Sequence, residues 1–387
     1  MASKTQERFL AKPVNHLYML LVSAGALTFI GLIMVFSASS IRAIDTQGSA
    51  ISIVLRQLLF VAISIPLAGY LSKLSLAKWE ILARLGLVLS IALLGLLLIP
   101  GLGKTVNGNT NWINLRFIDV QPSELAKFLM ILWASYLLAR KEKAGRHNVN
   151  VFALIGPGFL LIMAMILYGR DLGTASVVAA ILAGLLFVSG IQLRLFGWLT
   201  AAGALALAGL IATSGYRAQR FLVFLDPFAP EDYKYAGWQP AHRLLGLASG
   251  GLFGVGLGGS RQKWGNLAEA HTDFIFSVIG EELGLVGTLS VLILLATLIY
   301  SVFRIALRAE EPMVRYACAG IGCWLTVQAF LNIGSATSVL PVVGVTLPLV
   351  SYGGSALVAT LCALGFVAGA ALRDPAVRKE IVKKRKA

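Results

Sequence analysis

The sixteen residues EAHTDFIFSVIGEELG carry four carboxylates, Glu269, Asp273, Glu281 and Glu282, in a chain of 387 residues that holds only eighteen Asp and Glu. A carboxylate can accept a proton as a general base, ligate a divalent cation or cap a helix. Asp273 stands at the head of an apolar run, where residue type alone leaves capping and proton transfer both open. On a helix Glu281 would lie about 80° around from Asp273 and Glu282 about 180° around, so the four acids are not expected to serve one site.

Other ionisable residues fall where the chain is otherwise oily. In QPSELAK, Gln121, Glu124 and Lys127 are spaced to share one helical face, with Pro122 suited to the helix start, and the acid and the lysine can pair. In GRDLGTA, Asp171 and Thr174 stand one turn apart at a helix start, again a cap or a functional acid, with Arg170 beside them. Arginine and lysine neutralise phosphate oxygens. Acids and bases at an apolar surface suit an amphiphilic substrate bearing phosphate, and a lipid transporter would need nearly the same set.

The elements that must position these groups are membrane helices. A composition of 57% hydrophobic and 13% charged residues, with a mean hydropathy of +0.80, excludes an ordinary soluble domain. Apolar stretches long enough to cross the hydrocarbon occupy residues 17–37, 51–72, 82–100, 122–139, 151–168, 172–190, 195–214, 274–304, 314–336 and 349–372. The expected fold is an all-α, multi-pass membrane protein of about ten helices, one domain over 1–387. Twenty-one Lys and Arg fall on one set of connecting segments and four in the short loops of the other, so both termini are expected to be cytoplasmic.

The net charge of +15 follows from this asymmetry and gives no case for nucleic acid; the basic tail, residues 373–387, suits anionic membrane lipids or a topology anchor. The first apolar segment, ending VFSASS, is too long for a signal peptide and reads as an uncleaved span. Cys318, Cys323 and Cys362 are odd in number and imply no disulfide framework. His16, His147, His242 and His271 have no metal-site spacing, and no metal ligand is assigned.

One connection breaks the pattern. The segment 215–273, between the seventh and eighth helices, is a long extracytoplasmic loop whose glycine-rich stretch LLGLASGGLFGVGLGGS is oily enough to lie on the membrane surface or dip into it. Gly254, Gly256 and Gly259 match a dinucleotide fingerprint only by accident, since no βαβ unit surrounds them; close backbone packing or headgroup contact are the readings left. Before the last helix, Pro341, Pro348, Gly353 and Gly354 imply a broken, non-helical entry, tolerated at membrane depth only beside protein or a polar cavity.

Taken in order, QPSELAK, DLGTA, SRQKWGNLAEAHTDFIFSVIGEELGLVG and LPLVSYGGS resemble the SEDS family, which serves bacterial shape, elongation, division and sporulation; SRQKW running into EAHTDFIF is more similar to its division branch than to its elongation branch. The resemblance covers nearly the whole chain. It implies a peptidoglycan glycosyltransferase of the bacterial cytoplasmic membrane, at the division septum, polymerising lipid II on the outer face with undecaprenyl pyrophosphate as leaving group. It further implies a class B penicillin-binding protein and other division proteins as partners. By the same resemblance Asp273 is the catalytic residue, and Glu124, Lys127, Asp171 and Glu269 match the family's polar positions. Arg217, Arg220, Arg261 and Lys263 are candidates for the basic cluster facing the pyrophosphate, with Mg2+ or Mn2+ as candidate cofactors. A lipid II flippase and a non-catalytic scaffold for the penicillin-binding protein are the competing readings.

The chain departs from the family pattern at three positions. Asn111 stands where an arginine is usual, Arg170 where a proline precedes DLGT, and Ala268 where a proline precedes EAHTD. Arg170 is therefore expected to supply, from a neighbouring loop, the cation missing at position 111 and to belong to the substrate-binding set.

Overall fold

Each of the ten expected apolar segments falls on a helix of the computed structural model, which describes residues 12–106, 109–114, 119–146, 149–212, 215, 223–224, 226–265, 267 and 269–386. The helices are α1 (Pro13–Gln47), α2 (Ser52–Ser72), α3 (Leu76–Gly95), α4 (Pro122–Lys143), α5 (Val151–Tyr168) and α6 (Leu172–Val188). They continue with α7 (Leu193–Ala212), α8 (Trp238–Ser249), α9 (Ile275–Arg308), α10 (Pro312–Ala336), α11 (Gly354–Arg373) and α12 (Pro375–Lys386). Among the described residues seven helices are long and apolar enough to cross a membrane, α6 and α7 are shorter apolar helices, and α4 carries six charged residues. The chain is not wholly helical. The loop between α3 and α4 forms a small antiparallel sheet, β1 (Gly103–Val106), β2 (Asn109–Asn114) and β3 (Asp119–Val120), in the order β1-β2-β3.

Local chemistry sets the helix ends. Pro13, Pro122 and Pro312 occupy first-turn positions, where a missing N–H costs nothing. The Asn150 side chain accepts from the N–H groups of Phe152 and Ala153 to start α5. In α4, Glu124 sits in the first turn and Arg140, Lys141 and Lys143 in the last, each complementing the helix dipole.

Packing places α10 at the centre, against α4, α6 and α9, while α3 lies on α4, α1 on α9 and α2 on α11. Gly365 and Gly369, four apart on α11, let its backbone approach the Ala68 and Ser72 carbonyls of α2, where a Cβ would come within 2.6 and 2.5 Å. Ion pairs Lys143–Glu311, Arg315–Glu142 and Arg308–Asp374 tie the basic ends of α4, α9, α10 and α11 together. Since α9 runs from Asp273 toward Arg308 and α10 back from Arg315 toward Asn332, Asp273 lies at the opposite end of the bundle from these charges. The basic tail forms α12, which packs on α1 and α11 with Val377 buried.

Helix α9 is broken at Gly284, whose φ of 65° and ψ of −159° are not helical. A straight helix would bond Leu285 N–H to Glu281 O and Val286 N–H to Glu282 O. Instead Leu285 and Val286 donate to Gly251 O and Leu252 O at 2.9 and 3.1 Å, while Glu281 O and Glu282 O accept from Val255 and Gly256 at 3.0 and 3.1 Å. The glycine-rich loop is spliced into the break, so each of the four backbone groups that lose their helical partner gains one from the loop. Close packing, one of the two readings of these glycines, is what the geometry uses: a Cβ on Gly250 would lie 1.8 Å from Gly280 O and one on Gly254 2.1 Å from Glu282 O. Residues 285–304 alone provide about 30 Å of rise, enough to cross the hydrocarbon. The exposed side chains Leu252, Phe253, Val255 and Leu257 extend the exposed apolar face of Leu285, Val286 and Leu289.

Gly250→Ala should therefore lower the thermal midpoint of the purified protein markedly, whereas Gly209→Ala, on α7 with nothing within 4 Å of the added Cβ, should leave it unchanged or slightly raised. Thermal denaturation followed by intrinsic fluorescence distinguishes the two.

Candidate active site

Asp273 is half-buried at the end of a turn whose carbonyls are held one after another. His271 O accepts from Tyr352 N–H at 2.9 Å, Thr272 O from Ser351 Oγ at 2.6 Å, and Asp273 O from Asn332 Nδ2 at 2.9 Å. Asn332 also donates to Val345 O at 2.7 Å, so one amide clamps the turn to the segment preceding α11. That segment, residues 337–353, is the broken entry read from its prolines and glycines. It is closed on itself by Leu347 N–H to Ser351 Oγ at 2.8 Å and held on its other side by Gln57 of α2. The Asp273 carboxylate faces Gly344: a Cβ added there would lie 3.6 Å from Oδ2. Phe274, not Asp273, takes the N-cap position of α9.

The remaining polar positions connect to this turn through α4 and α10. Lys127 Nζ binds Glu124 Oε1 at 2.8 Å and Gln328 Oε1 at 3.0 Å, and lies 5.0 Å from the Trp324 ring. Gln328 in turn donates to the O and Oγ1 of Thr346, at 3.1 and 3.2 Å, on the same segment as Gly344. Among the described residues, the buried Glu124–Lys127 pair connects to the Asp273 turn through neutral amides and backbone. Asp171 caps α6, accepting from the N–H and Oγ1 of Thr174 at 2.8 and 2.7 Å, and receives Gln121 Nε2 at 3.4 Å.

Glu269 pairs with Arg42 at the end of α1, 3.1 Å away, and accepts from Thr272 Oγ1 at 3.1 Å. Between them His271 is buried beside the Tyr352 ring. Burial, offset in part by Glu269 and reinforced by Arg42, pushes its pKa from 6.5 down to about 4, so it is neutral at pH 7.

Glu281 and Glu282 do converge, contrary to the helical-wheel expectation, because the loop brings one segment to both. Glu281 accepts from Ser260 Oγ at 2.5 Å and Arg261 N–H at 2.9 Å. Glu282 accepts from Ser37 Oγ at 2.7 Å, Ser260 N–H at 3.3 Å and Lys263 Nζ at 3.2 Å. Lys263, expected among the cations facing the pyrophosphate, is instead buried in this pair, since its stem folds inward with the spliced loop. Arg261 is exposed next to it. Arg217, Arg220 and Ala268 lie outside the described residues.

The corner bearing Arg170 lies against β2, as the expected exchange of cations requires. Thr110 N–H donates to Gly169 O at 3.1 Å, and a Cβ on Gly169 would come 2.8 Å from Asn111 Oδ1. Arg170 is exposed with a φ of 64°, a backbone that proline cannot adopt. Sequence reasoning missed Arg42, Arg243, Asn332 and Ser351. Asn332 was visible as a polar residue inside an apolar span, whereas the partners of the others depend on loop placement. Among the described residues no group of three His, Cys, Asp or Glu could hold a metal ion.

A family model described as "Cell cycle protein", covering FtsW, RodA and SpoVE, matches residues 17–374. A protein of Mycobacterium tuberculosis named "Probable peptidoglycan glycosyltransferase FtsW" is 38% identical over 368 residues, which is 95% of this chain and 70% of that protein. A chain from a structure described as "Structural coordination of polymerization and crosslinking by a peptidoglycan synthase complex" superposes with a TM-score of 0.72 at 30% identity, covering 91% of this chain and 96% of that one. The rod shape determining protein RodA of Thermus thermophilus gives a TM-score of 0.67 at 30% identity, covering 91% and 95%.

The buried ion pair and the buried histidine each have a measurable consequence. Glu282→Gln or Lys263→Met alone should destabilise the protein by about 3–5 kcal/mol by stranding the partner charge, while Glu282→Met with Lys263→Met should recover part of the loss; unfolding curves of the three variants test this. For His271 the folded pKa lies below the unfolded one, so its neutral form costs nothing above pH 6.5 and stability is lost as pH falls from 6.5 to about 4. His271→Asn should flatten that part of the stability profile, read as the melting temperature between pH 7 and pH 4.

Proposed function

The chain belongs to the FtsW, RodA and SpoVE family of cell cycle proteins, and from that membership we propose that it is a peptidoglycan glycosyltransferase using Asp273 as its base. Its substrate is lipid II, presented at the outer face of the cytoplasmic membrane at the division septum. A class B penicillin-binding protein is its cross-linking partner. The observation that carries the reading is the clamped turn: three consecutive carbonyls, of His271, Thr272 and Asp273, are each fixed by a separate hydrogen bond, leaving the carboxylate in front of Gly344. Fixing a reacting group before substrate arrives lowers the entropic part of the barrier.

In the proposed step the Asp273 carboxylate takes the proton of the acceptor sugar's 4-hydroxyl as that oxygen attacks the donor's anomeric carbon. The bond from that carbon to the pyrophosphate oxygen breaks, undecaprenyl pyrophosphate leaves with the electron pair, and a single displacement inverts the anomeric centre. Arg261 and Arg170, both exposed, are the cations assigned in this reading to the leaving pyrophosphate. Mg2+ or Mn2+ would bring further charge neutralisation, but the described acids offer no three-ligand cage, and no step here passes through one.

Polymerisation of lipid II by the purified protein with its partner tests the reading. Asp273→Ala should reduce glycan formation at least about a hundredfold, in line with loss of a general base, and Asp273→Asn should do the same. Full polymerisation by a folded Asp273→Ala protein removes the base assignment, and lipid translocation without polymer supports the flippase instead.

A further inference from the structure

At the end of the bundle opposite Asp273 the helices enclose a cavity of about 230 Å³. Its wall includes Pro13, the first residue of α1, Arg308, the last of α9, and Arg373, the last of α11. All three helices are long and apolar enough to span, so their ends place the cavity where hydrocarbon gives way to lipid headgroups. The buried side chains of Ile305, Val314 and Val377 make part of the wall apolar. The volume is smaller than the roughly 300–1,000 Å³ that encloses a drug-sized ligand. It is too small for a disaccharide-peptide and suits a single headgroup.

Five charged residues line the cavity, and three of them are already matched. Arg308 Nε donates to Asp374 Oδ2 at 3.0 Å, and Asp374 Oδ1 accepts from Ala376 N–H at 2.8 Å. Glu311 is paired with Lys143 of α4. The other two, Arg373 and Glu310, enter no ion pair among the described residues. Arg373 gives Nη2 to Leu74 O, in the turn between α2 and α3, but its Nη1 is buried with no acceptor. A buried donor without an acceptor is destabilising, more so on a charged group, and an oxyanion entering from the cavity would supply one. Glu310, exposed at the corner between α9 and α10, is the complementary acceptor for a cation. A free anion would meet Arg373 and also face the Glu310 carboxylate. A group that carries both charges meets each with its opposite.

We propose that this cavity binds the headgroup of a zwitterionic phospholipid of the phosphoethanolamine class, in the leaflet at this end of the bundle. The phosphate is held by Arg373 together with Arg308, and the ammonium by Glu310. Arg308 keeps its Nη groups for the phosphate, since Nε alone binds Asp374 and the side chain is 37% exposed. The guanidinium fork suits phosphate oxygens. The site is separate from the chemistry at Asp273 and does not depend on that assignment.

The test uses the purified, delipidated full chain in detergent, titrated with dihexanoyl phosphatidylethanolamine, dihexanoyl phosphatidylglycerol or inorganic phosphate. Native mass spectrometry reads the bound lipid and thermal denaturation reads the stabilisation. Phosphatidylethanolamine should bind and raise the thermal midpoint. Phosphatidylglycerol, with the same phosphate and no ammonium, should bind at least about tenfold more weakly, and inorganic phosphate should leave the midpoint unchanged. Glu310→Gln, an exposed substitution, should remove the preference between the two lipids, and Arg373→Met should weaken phosphatidylethanolamine about tenfold. If Arg373→Met does not fold, the preference measured in Glu310→Gln decides alone. Equal binding of the two lipids by the unaltered chain, or a preference that survives Glu310→Gln, overturns the proposal and leaves Arg373 a tie between α11 and the turn before α3. Stabilisation by inorganic phosphate equal to that by phosphatidylethanolamine marks a simple anion site and overturns it as well.

Discussion

A backbone that leaves the helix at the edge of a membrane exposes peptide groups that lipid cannot satisfy, so each must find a partner within the protein. The chain meets this constraint twice, and the second solution fixes the turn that carries Asp273. At Gly284 the loop from Gly250 to Gly256 supplies four hydrogen bonds where the helix loses two. Before α11, the segment 337–353 gives up helical structure and binds instead to the turn 271–273, to Asn332 and to Gln57. The second arrangement makes Asp273 part of a fixed scaffold, because the groups that immobilise its backbone are the ones that would otherwise be unsatisfied.

Charge follows the same logic. Burying an ion costs several kcal/mol unless a partner accompanies it, and the acids sort by how that cost is met. Glu124 is matched by Lys127, Glu282 by Lys263, and the more exposed Glu269 by Arg42. The pairs in the interior bind helix to helix or loop to helix and leave little capacity for substrate. Arg243 is met differently, by the carbonyl end of α10 rather than by a carboxylate. A network of neutral amides, Gln328 and Asn332, joins the Glu124–Lys127 pair to the Asp273 turn without adding charge.

The helices were legible because a membrane span needs only length and apolar composition, both visible in any window of the chain. The broken entry before α11 was legible because Pro341, Pro348, Gly353 and Gly354 each disfavour helix continuation. Asp171 kept the capping role that its spacing from Thr174 allowed, and Glu124 with Lys127 kept the pairing allowed by theirs. What could not be read was the consequence of the splice at Gly284. A 100° wheel separates Glu281 from Glu282, yet the loop carries Ser260 to both, and the same fold turns Lys263 inward. No local pattern encodes a contact between residues brought together by a long loop, and the same reason hid Arg42 and Arg243. The small sheet before α4 was missed because its strands are short and lie in a polar loop.

An experimental structure of the protein with a non-hydrolysable lipid II donor analogue and an acceptor glycan would test the role of the clamped turn most directly. The acceptor 4-hydroxyl should lie within about 3.2 Å of an Asp273 carboxylate oxygen, the reach of a general base, with the hydrogen bonds from Asn332, Ser351 and Tyr352 intact. An acceptor seated with its 4-hydroxyl more than about 6 Å from Asp273, beyond the reach of one bridging water, and closer to another ionisable side chain, would contradict it.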